Sequence, residues 1–292
     1  MKILITGTNG FVGRNLKEYF QDRYEGICCP KRQQLNLLDS NAVSEYLKAN
    51  NFDIVVHCGV TLTSIEQNLK MYFNIEKCSE SFGKMICVGS GAEYDGKNYI
   101  PKMKESYFGK HKPSTSDIYG YSKHEIAQNI ESNHRNIYNL RVFGIYGKYE
   151  DYKRRFISNN ICRLLCGLNI SINKNAHFDY LYVNDFSKIV EIFIKNNAKK
   201  RTYNVCTGNT IDFISLAKII NEIDGRNLSI NIKEKGLNPE YSGDNKLLMD
   251  EFKEITFTSP EKAINELYHW YKSSSNLDFN LNMLDSIKRK TS

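Results

Sequence analysis

The first seventeen residues constrain the fold more than any other stretch. An apolar strand, Lys2-Ile-Leu-Ile-Thr6, runs straight into glycines at 7, 10 and 13, and a helical pattern follows at Leu16, Tyr19 and Phe20. Glycine permits the tight turn and lets the backbone come close to a pyrophosphate. The N-terminus of the following helix offers N–H groups and the positive end of its dipole. A strand–turn–helix unit of this kind predicts dinucleotide binding, with Gly7, Asn9, Gly10, Phe11, Val12 and Gly13 around the ligand.

The chain continues that pattern. Strand-like runs at 2–6, 25–29, 53–58, 84–89, 137–142, 180–183 and 202–206 alternate with helical runs at 11–22, 40–50, 64–79, 118–133, 153–167 and 184–196. Such alternation predicts an α/β fold, a Rossmann-type doubly wound parallel sheet. Past Gly208 come a helix at 212–223, a short strand at 228–232, a Gly/Asn/Pro-rich loop at 236–245 and a helix at 260–272. The expected division is a dinucleotide-binding domain over 1–207 and a smaller substrate-binding lobe over 208–292, with residues about 148–176 contributing to the substrate side.

Composition narrows the partners. The net charge of +7 suits an anionic small ligand, and the Lys and Arg residues are scattered rather than packed in a stripe, which argues against nucleic acid. Lys288-Arg-Lys290 reads as a solvated tail. No apolar run approaches the roughly 18 residues of a membrane span, and no leader precedes the first strand, so a cytoplasmic protein is expected. The eight cysteines (28, 29, 58, 78, 87, 162, 166 and 206) form no Cys-x-x-Cys pair and have no histidines at zinc spacing. We expect no metal and, in a reducing compartment, no disulfides.

A second cluster carries the chemistry. Tyr119-Gly-Tyr-Ser-Lys123 places a phenol and an ammonium four residues apart, on one face of a helix. A phenol is a poor acid or base at neutral pH; a fixed cation beside it favours the phenolate. Ser90, ending the strand at 84–89, offers a second hydrogen bond to a reacting oxygen.

With Thr6-Gly-Thr-Asn-Gly-Phe-Val-Gly13, Ser90 four residues before Tyr94, and Tyr119-Gly-Tyr-Ser-Lys123 in this order, the chain resembles the extended short-chain dehydrogenase/reductase family over nearly its whole length. Its members are mostly nucleotide-sugar epimerases, dehydratases and 4-keto reductases. The resemblance implies that hydride moves from a nicotinamide to a sugar ketone, that Tyr119 gives its proton to the developing alkoxide, that Ser90 hydrogen-bonds the same oxygen, and that Lys123 holds the nicotinamide ribose. It also implies a nucleotide-diphosphate sugar as partner, a homodimer through a four-helix bundle including the helix at 118–133, an adenine-contacting loop with Asn36 and Leu37, a cofactor-lining segment at Cys58 and Gly59, and Asn74 as the helix asparagine that braces the site. His57 reads as a structural hydrogen-bonder.

Cofactor choice turns on the end of the second strand. A NAD-selective site wants a carboxylate there; this chain has Cys28-Cys-Pro-Lys31-Arg32. Cations suit a 2′-phosphate, so NADP(H) is favoured over NAD(H), with Arg14 as a further phosphate contact. Lys31 and Arg32 as ordinary loop cations are the alternative. Dehydratases of the family carry Thr-Asp-Glu where this chain has Ser90-Gly91-Ala92, which disfavours dehydration. Members that also epimerise place a Cys at the position of Ala92; His111, His124 and His177 enter only if epimerisation occurs. NADPH-dependent reduction of a 4-keto sugar nucleotide is the expected activity. An NAD-dependent epimerase and a non-catalytic NADPH-binding regulatory protein are the alternatives.

On the substrate side, Leu140-Arg-Val-Phe-Gly144-Ile-Tyr-Gly147 resembles a family segment with Gly144 where Asn is usual, and Phe178 stands where an Arg usually precedes Asp179. Diphosphate contacts are therefore expected from Arg154 and Arg155, with Ser90, Glu93 and Asn159 also on the substrate. Tyr94, Tyr203 and Tyr241 are candidates to stack on a base.

Overall fold

Strand β1 (Lys2–Thr6) sends alternate side chains to opposite sides: Ile3 and Ile5 enter one apolar cluster and Leu4 another. A strand wanted by hydrophobic clusters on both faces belongs inside a sheet covered by helices on both sides. The computed structural model, which describes residues 1–132 and 136–273, has that architecture. In chain order the elements are β1, α1 (Phe11–Gln21), β2 (Gly26–Cys28), α2 (Ser40–Asn50), β3 (Phe52–His57), α3 (Ile65–Glu76), β4 (Phe82–Ser90), α4 (Ile118–Ser132), β5 (Ile137–Val142), β6 (Gly144–Tyr146), α5 (Phe156–Leu165), β7 (Ile170–Asn175), β8 (His177–Phe178), β9 (Tyr180–Tyr182), α6 (Val183–Lys195), β10 (Thr202–Val205), β11 (Ile211–Asp212), α7 (Phe213–Asp224), β12 (Ile230–Leu237), α8 (Lys246–Glu251) and α9 (Pro260–Ser273).

Six strands form one parallel sheet in the order β10-β5-β4-β3-β1-β2. Helices α1 and α6 cover one face through Leu16, Phe20, Phe186 and Phe193. Helices α2, α3 and α4 cover the other through Val43, Leu47, Tyr72 and Ile126. From β1 the chain goes outward to β2 and then returns to β3 on the other side. That reversal opens a crevice at the carboxyl ends of β1 and β3, where ligands of such sheets bind.

The boundaries shift where partners outside the local sequence decide them. The strand expected at 180–183 lies outside the main sheet: β9 pairs with β6 in a separate ribbon. Strand β12 is longer than the expected 228–232, running into the stretch read as a loop, because β7, an element the periodicity does not announce, offers it a parallel partner. Helix α3 ends three residues before the expected 79, and α5 starts only at Phe156 because Arg155 is its extended N-cap. Residue 133 of the expected fourth helix, and the Lys288–Lys290 tail, lie outside the described residues.

The second lobe does not begin at a single cut. Its core joins Tyr146, Ile157, Ile161, Ile170 and Ile172 to Leu216, Ile220, Ile264, Leu267 and Tyr271. Leu248, Phe252 and Ile255 instead return to the sheet's own core beside Phe193 and Tyr203. Between these, the stretch after β12 crosses the mouth of the crevice, held by bridges Phe178↔Tyr241 and Met103↔Gly243. Among the described residues, no helix is long and apolar enough to cross a membrane.

Candidate active site

The glycine turn is built by close approach. Gly7 sits at φ +71°, and a Cβ there would stand 2.7 Å from the Cys58 carbonyl carbon and the Gly59 nitrogen. A Cβ on Gly13 would stand 2.4 Å from the Gly7 oxygen. The turn is thus clamped between β3 and α1, a close packing that requires glycine at these two positions. Gly10, the N-cap of α1, supplies no side-chain cap, so the first turn of the helix keeps N–H groups for a ligand.

This turn forms one end of a cleft of about 1610 Å³, more than a single drug-sized ligand fills. Gly7, Asn9, Gly10, Phe11, Val12, Gly13, Arg32, Asn36, Leu37, Cys58 and Gly59 line that end. The glycine cradle and the open helix N-terminus together fit the pyrophosphate of a nicotinamide dinucleotide.

Ser90, Tyr119 and Lys123 line the middle of the same cleft. Asp117 accepts from the Gly120 N–H at 2.9 Å and so shapes the start of α4, which carries Tyr119. The Lys123 Nζ lies 5.9 Å from the Tyr119 ring centroid and donates to the Val88 carbonyl at 2.5 Å. Its charge reaches His57: burial first, and the Lys123 ammonium second, hold that imidazole down to about 3. Neutral His57 meets the Thr6 hydroxyl through Nδ1 at 2.9 Å, a structural bond between the carboxyl ends of β1 and β3. Ser90 Oγ accepts from the Ala92 N–H at 3.1 Å.

The far end of the cleft holds the residues expected to contact the substrate. Arg154, Arg155 and Asn159 line it, with Lys174, Lys233 and Asn238 from β7, β12 and the crossing stretch. Asn159 is positioned by a bond from Nδ2 to the Tyr152 carbonyl at 3.0 Å.

Five expectations are corrected. Glu93 is fully buried and does not face the cleft: its carboxylate takes Arg141 Nε at 2.5 Å, Asn139 Nδ2 at 2.9 Å and the Ser90 N–H at 2.9 Å. Arg14 does not line the main cleft: its guanidinium stacks 3.6 Å over the Tyr149 ring, with Glu18 at 3.9 Å. Lys31 is exposed and outside the cleft lining; Arg32 alone of the pair reaches it. Asn74 does not line the cleft: it donates from Nδ2 to the Leu37 carbonyl at 2.9 Å and fixes that loop from behind. Of the tyrosines proposed to stack on a base, Tyr203 packs between Phe193 and Phe252 and Tyr94 lies in an aromatic cluster, leaving Tyr241 on the cleft wall. His111 and His177 are not among the lining residues, and His124 is buried, with Nδ1 at 2.8 Å from the Glu93 carbonyl.

Glu150 and the pair Lys174 and Lys233 were not anticipated. The two lysines reach the cleft wall through the pairing of β7 with β12. Among the described residues, no group of three or more His, Cys, Asp or Glu is placed to hold a metal ion.

The sequence model of the NAD dependent epimerase/dehydratase family matches residues 3–206. Methionine adenosyltransferase 2 subunit beta of Bos taurus is 28% identical over 197 residues, 61% of this chain and 56% of that protein, so the chain spans little more than half the length of that relative. GDP-6-deoxy-D-talose 4-dehydrogenase of Aggregatibacter actinomycetemcomitans is 24% identical over 92% of this chain and 97% of its own. Among solved structures, a GDP-mannoheptose C4 reductase from Campylobacter jejuni with NADP bound superposes with a TM-score of 0.79 at 19% identity, covering 93% of this chain and 98% of that one.

Proposed function

The chain belongs to the NAD dependent epimerase/dehydratase family, and we propose that it is a cytoplasmic enzyme using NADPH to reduce the 4-keto group of a nucleotide-diphosphate sugar. The observation that carries this reading is the convergence of Ser90, Tyr119 and Lys123 in one cleft with the glycine turn and Arg32. Full-length relatives whose names specify oxidoreduction at carbon 4 of a GDP-sugar support the substrate class.

When bound, the dinucleotide supplies the hydride. The glycine turn and the α1 N-terminus would hold its pyrophosphate, Asn36 and Leu37 its adenine side, and Arg32 its 2′-phosphate. Lys123, anchored on Val88, would hold the nicotinamide ribose and keep a positive charge beside Tyr119. Tyr119 donates its phenolic proton to the ketone oxygen as that oxygen gains charge. Ser90 donates a hydrogen bond to the same atom. Arg154 and Arg155 would face the diphosphate of the sugar nucleotide.

The homodimer belongs to the same reading, through α3 and α4, which lie side by side with Tyr72 Oη donating to Asn129 Oδ1 at 2.7 Å.

The test is NADPH consumption with a panel of 4-keto sugar nucleotides. Turnover by the wild type that falls by about 100- to 10,000-fold in Tyr119→Phe supports the reductase. A tightly held NAD with no net NADPH consumption would replace it with the epimerase. A second reading rests on the similarity to a methionine adenosyltransferase subunit: a regulatory protein that binds NADPH without turning it over. Binding without turnover across the panel would favour that reading.

A further inference from the structure

Tyr241 enters the catalytic corner from the stretch that crosses the cleft mouth. Its backbone is fixed on both sides: its N–H donates to the His177 carbonyl at 2.9 Å, and its carbonyl accepts from the Asp179 N–H at 2.9 Å. Its ring stacks on Tyr99 at 5.2 Å and 28°, and packs against Phe143 and Phe178 at 5.4 Å each. The hydroxyl at the end of this rigid ring is aimed at the loop after β4. A Cβ built on Gly91 would stand 2.4 Å from Tyr241 Oη. Position 91 and this hydroxyl therefore compete for one space, and the phenol occupies it. Ser90 and Tyr119 line the same corner of the cleft as this ring, and both act on the ionisation of its hydroxyl. Burial opposes its ionisation first and the proximity of Tyr119 second, which keeps the proton on the oxygen.

A serine hydroxyl has one proton to give and two lone pairs to fill. On Ser90 the Ala92 N–H takes one lone pair, at 3.1 Å. We propose that the Tyr241 hydroxyl donates to the other, so that the single Ser90 proton is left pointing at the reacting oxygen of the substrate. Tyr241 is then a positioning residue that acts through Ser90. It gives the second lobe a direct hold on the catalytic serine. The inference rests on the reductase reading above and adds to it the residue that sets the direction of the Ser90 donor.

The experiment is a double-mutant cycle on NADPH-dependent reduction, with wild type, Tyr241→Phe, Ser90→Ala and the double variant, and with Tyr119→Phe as reference. Phenylalanine keeps the ring stack and removes the oxygen. The expected result is a loss of about tenfold in kcat for Tyr241→Phe, with the KM for NADPH and the thermal midpoint unchanged, and no further loss when Tyr241→Phe is added to Ser90→Ala. Gly91→Ala, which puts a methyl where the hydroxyl sits, is expected to reproduce the kcat loss without altering residue 241. Full activity in Tyr241→Phe, or losses that multiply in the double variant, overturn the inference while leaving the reductase reading intact if Tyr119→Phe is inactive. A wild type without turnover on any 4-keto sugar nucleotide removes both.

Discussion

Glu93 and Arg141 meet at 2.5 Å between Oε2 and Nε, both wholly buried beneath Ser90. Arg141 also reaches the Tyr94 hydroxyl at 2.8 Å and Glu131 at 3.3 Å, while the second oxygen of Glu93 takes the Ser90 N–H at 2.9 Å. The pair holds the end of β4 in place. Removing one partner leaves the other charged and buried, so Glu93→Ala is expected to cost about 3–5 kcal/mol in urea unfolding. A change within experimental error would show that the pair does not hold this loop.

Arg32 lines the cleft and Lys31 does not. The two neighbouring cations therefore give different results. Arg32→Ala should weaken NADPH binding by about 10- to 100-fold and leave NADH binding nearly unchanged. Lys31→Ala should change neither. Fluorescence titration with both dinucleotides measures this, and equal losses for the two variants would contradict the assignment of the 2′-phosphate to Arg32.

Glu150 is buried in the cleft wall beside Arg154 and Arg155, where burial raises its carboxyl from 4.5 to about 7 against the opposing pull of the Ser158 hydroxyl and Arg155. Between pH 4.5 and 7 the folded chain holds a proton that the unfolded chain has lost. Stability from this group is complete below 4.5 and declines as pH rises through 7. The difference amounts to roughly 3 kcal/mol. Wild type should therefore lose stability relative to Glu150→Gln across that interval, measured by denaturant unfolding at several pH values. Parallel profiles for the two proteins would refute the shift.

Asn74 holds the Leu37 carbonyl from behind. Asn74→Ala should loosen the adenine-side loop, raising the KM for NADPH by about tenfold while kcat stays near the wild-type value. A loss confined to kcat would mean that Asn74 acts at the reacting end instead.

Features with local causes could be read from the chain alone. The β1–turn–α1 unit depends on residues within one another's reach, and so does the placement of Tyr119 and Lys123 on successive turns of α4. Features set by distant partners could not. Glu93 read as a substrate contact because Arg141 lies 48 positions away in sequence. Arg14 read as a phosphate ligand until Tyr149 came to lie beneath it. Strand β12 begins in the strand expected at 228–232, but its polar continuation, Lys233-Glu-Lys-Gly236, becomes strand only through pairing with β7, which also brings Lys174 and Lys233 onto the cleft wall. Tyr241 read as a base-stacking ring; that its hydroxyl comes to lie against Gly91 depends on a crossing stretch whose course the sequence does not announce.

The central claim is that Tyr119 delivers the proton while the nicotinamide delivers the hydride. Its most direct test is label transfer from NADPH deuterated at the transferring position of the nicotinamide, with a 4-keto sugar nucleotide as acceptor and mass spectrometry of the product. The account predicts one deuterium per product molecule with the wild type and almost no labelled product with Tyr119→Phe, which still binds NADPH. Product without label, or label transfer undiminished in Tyr119→Phe, would contradict it.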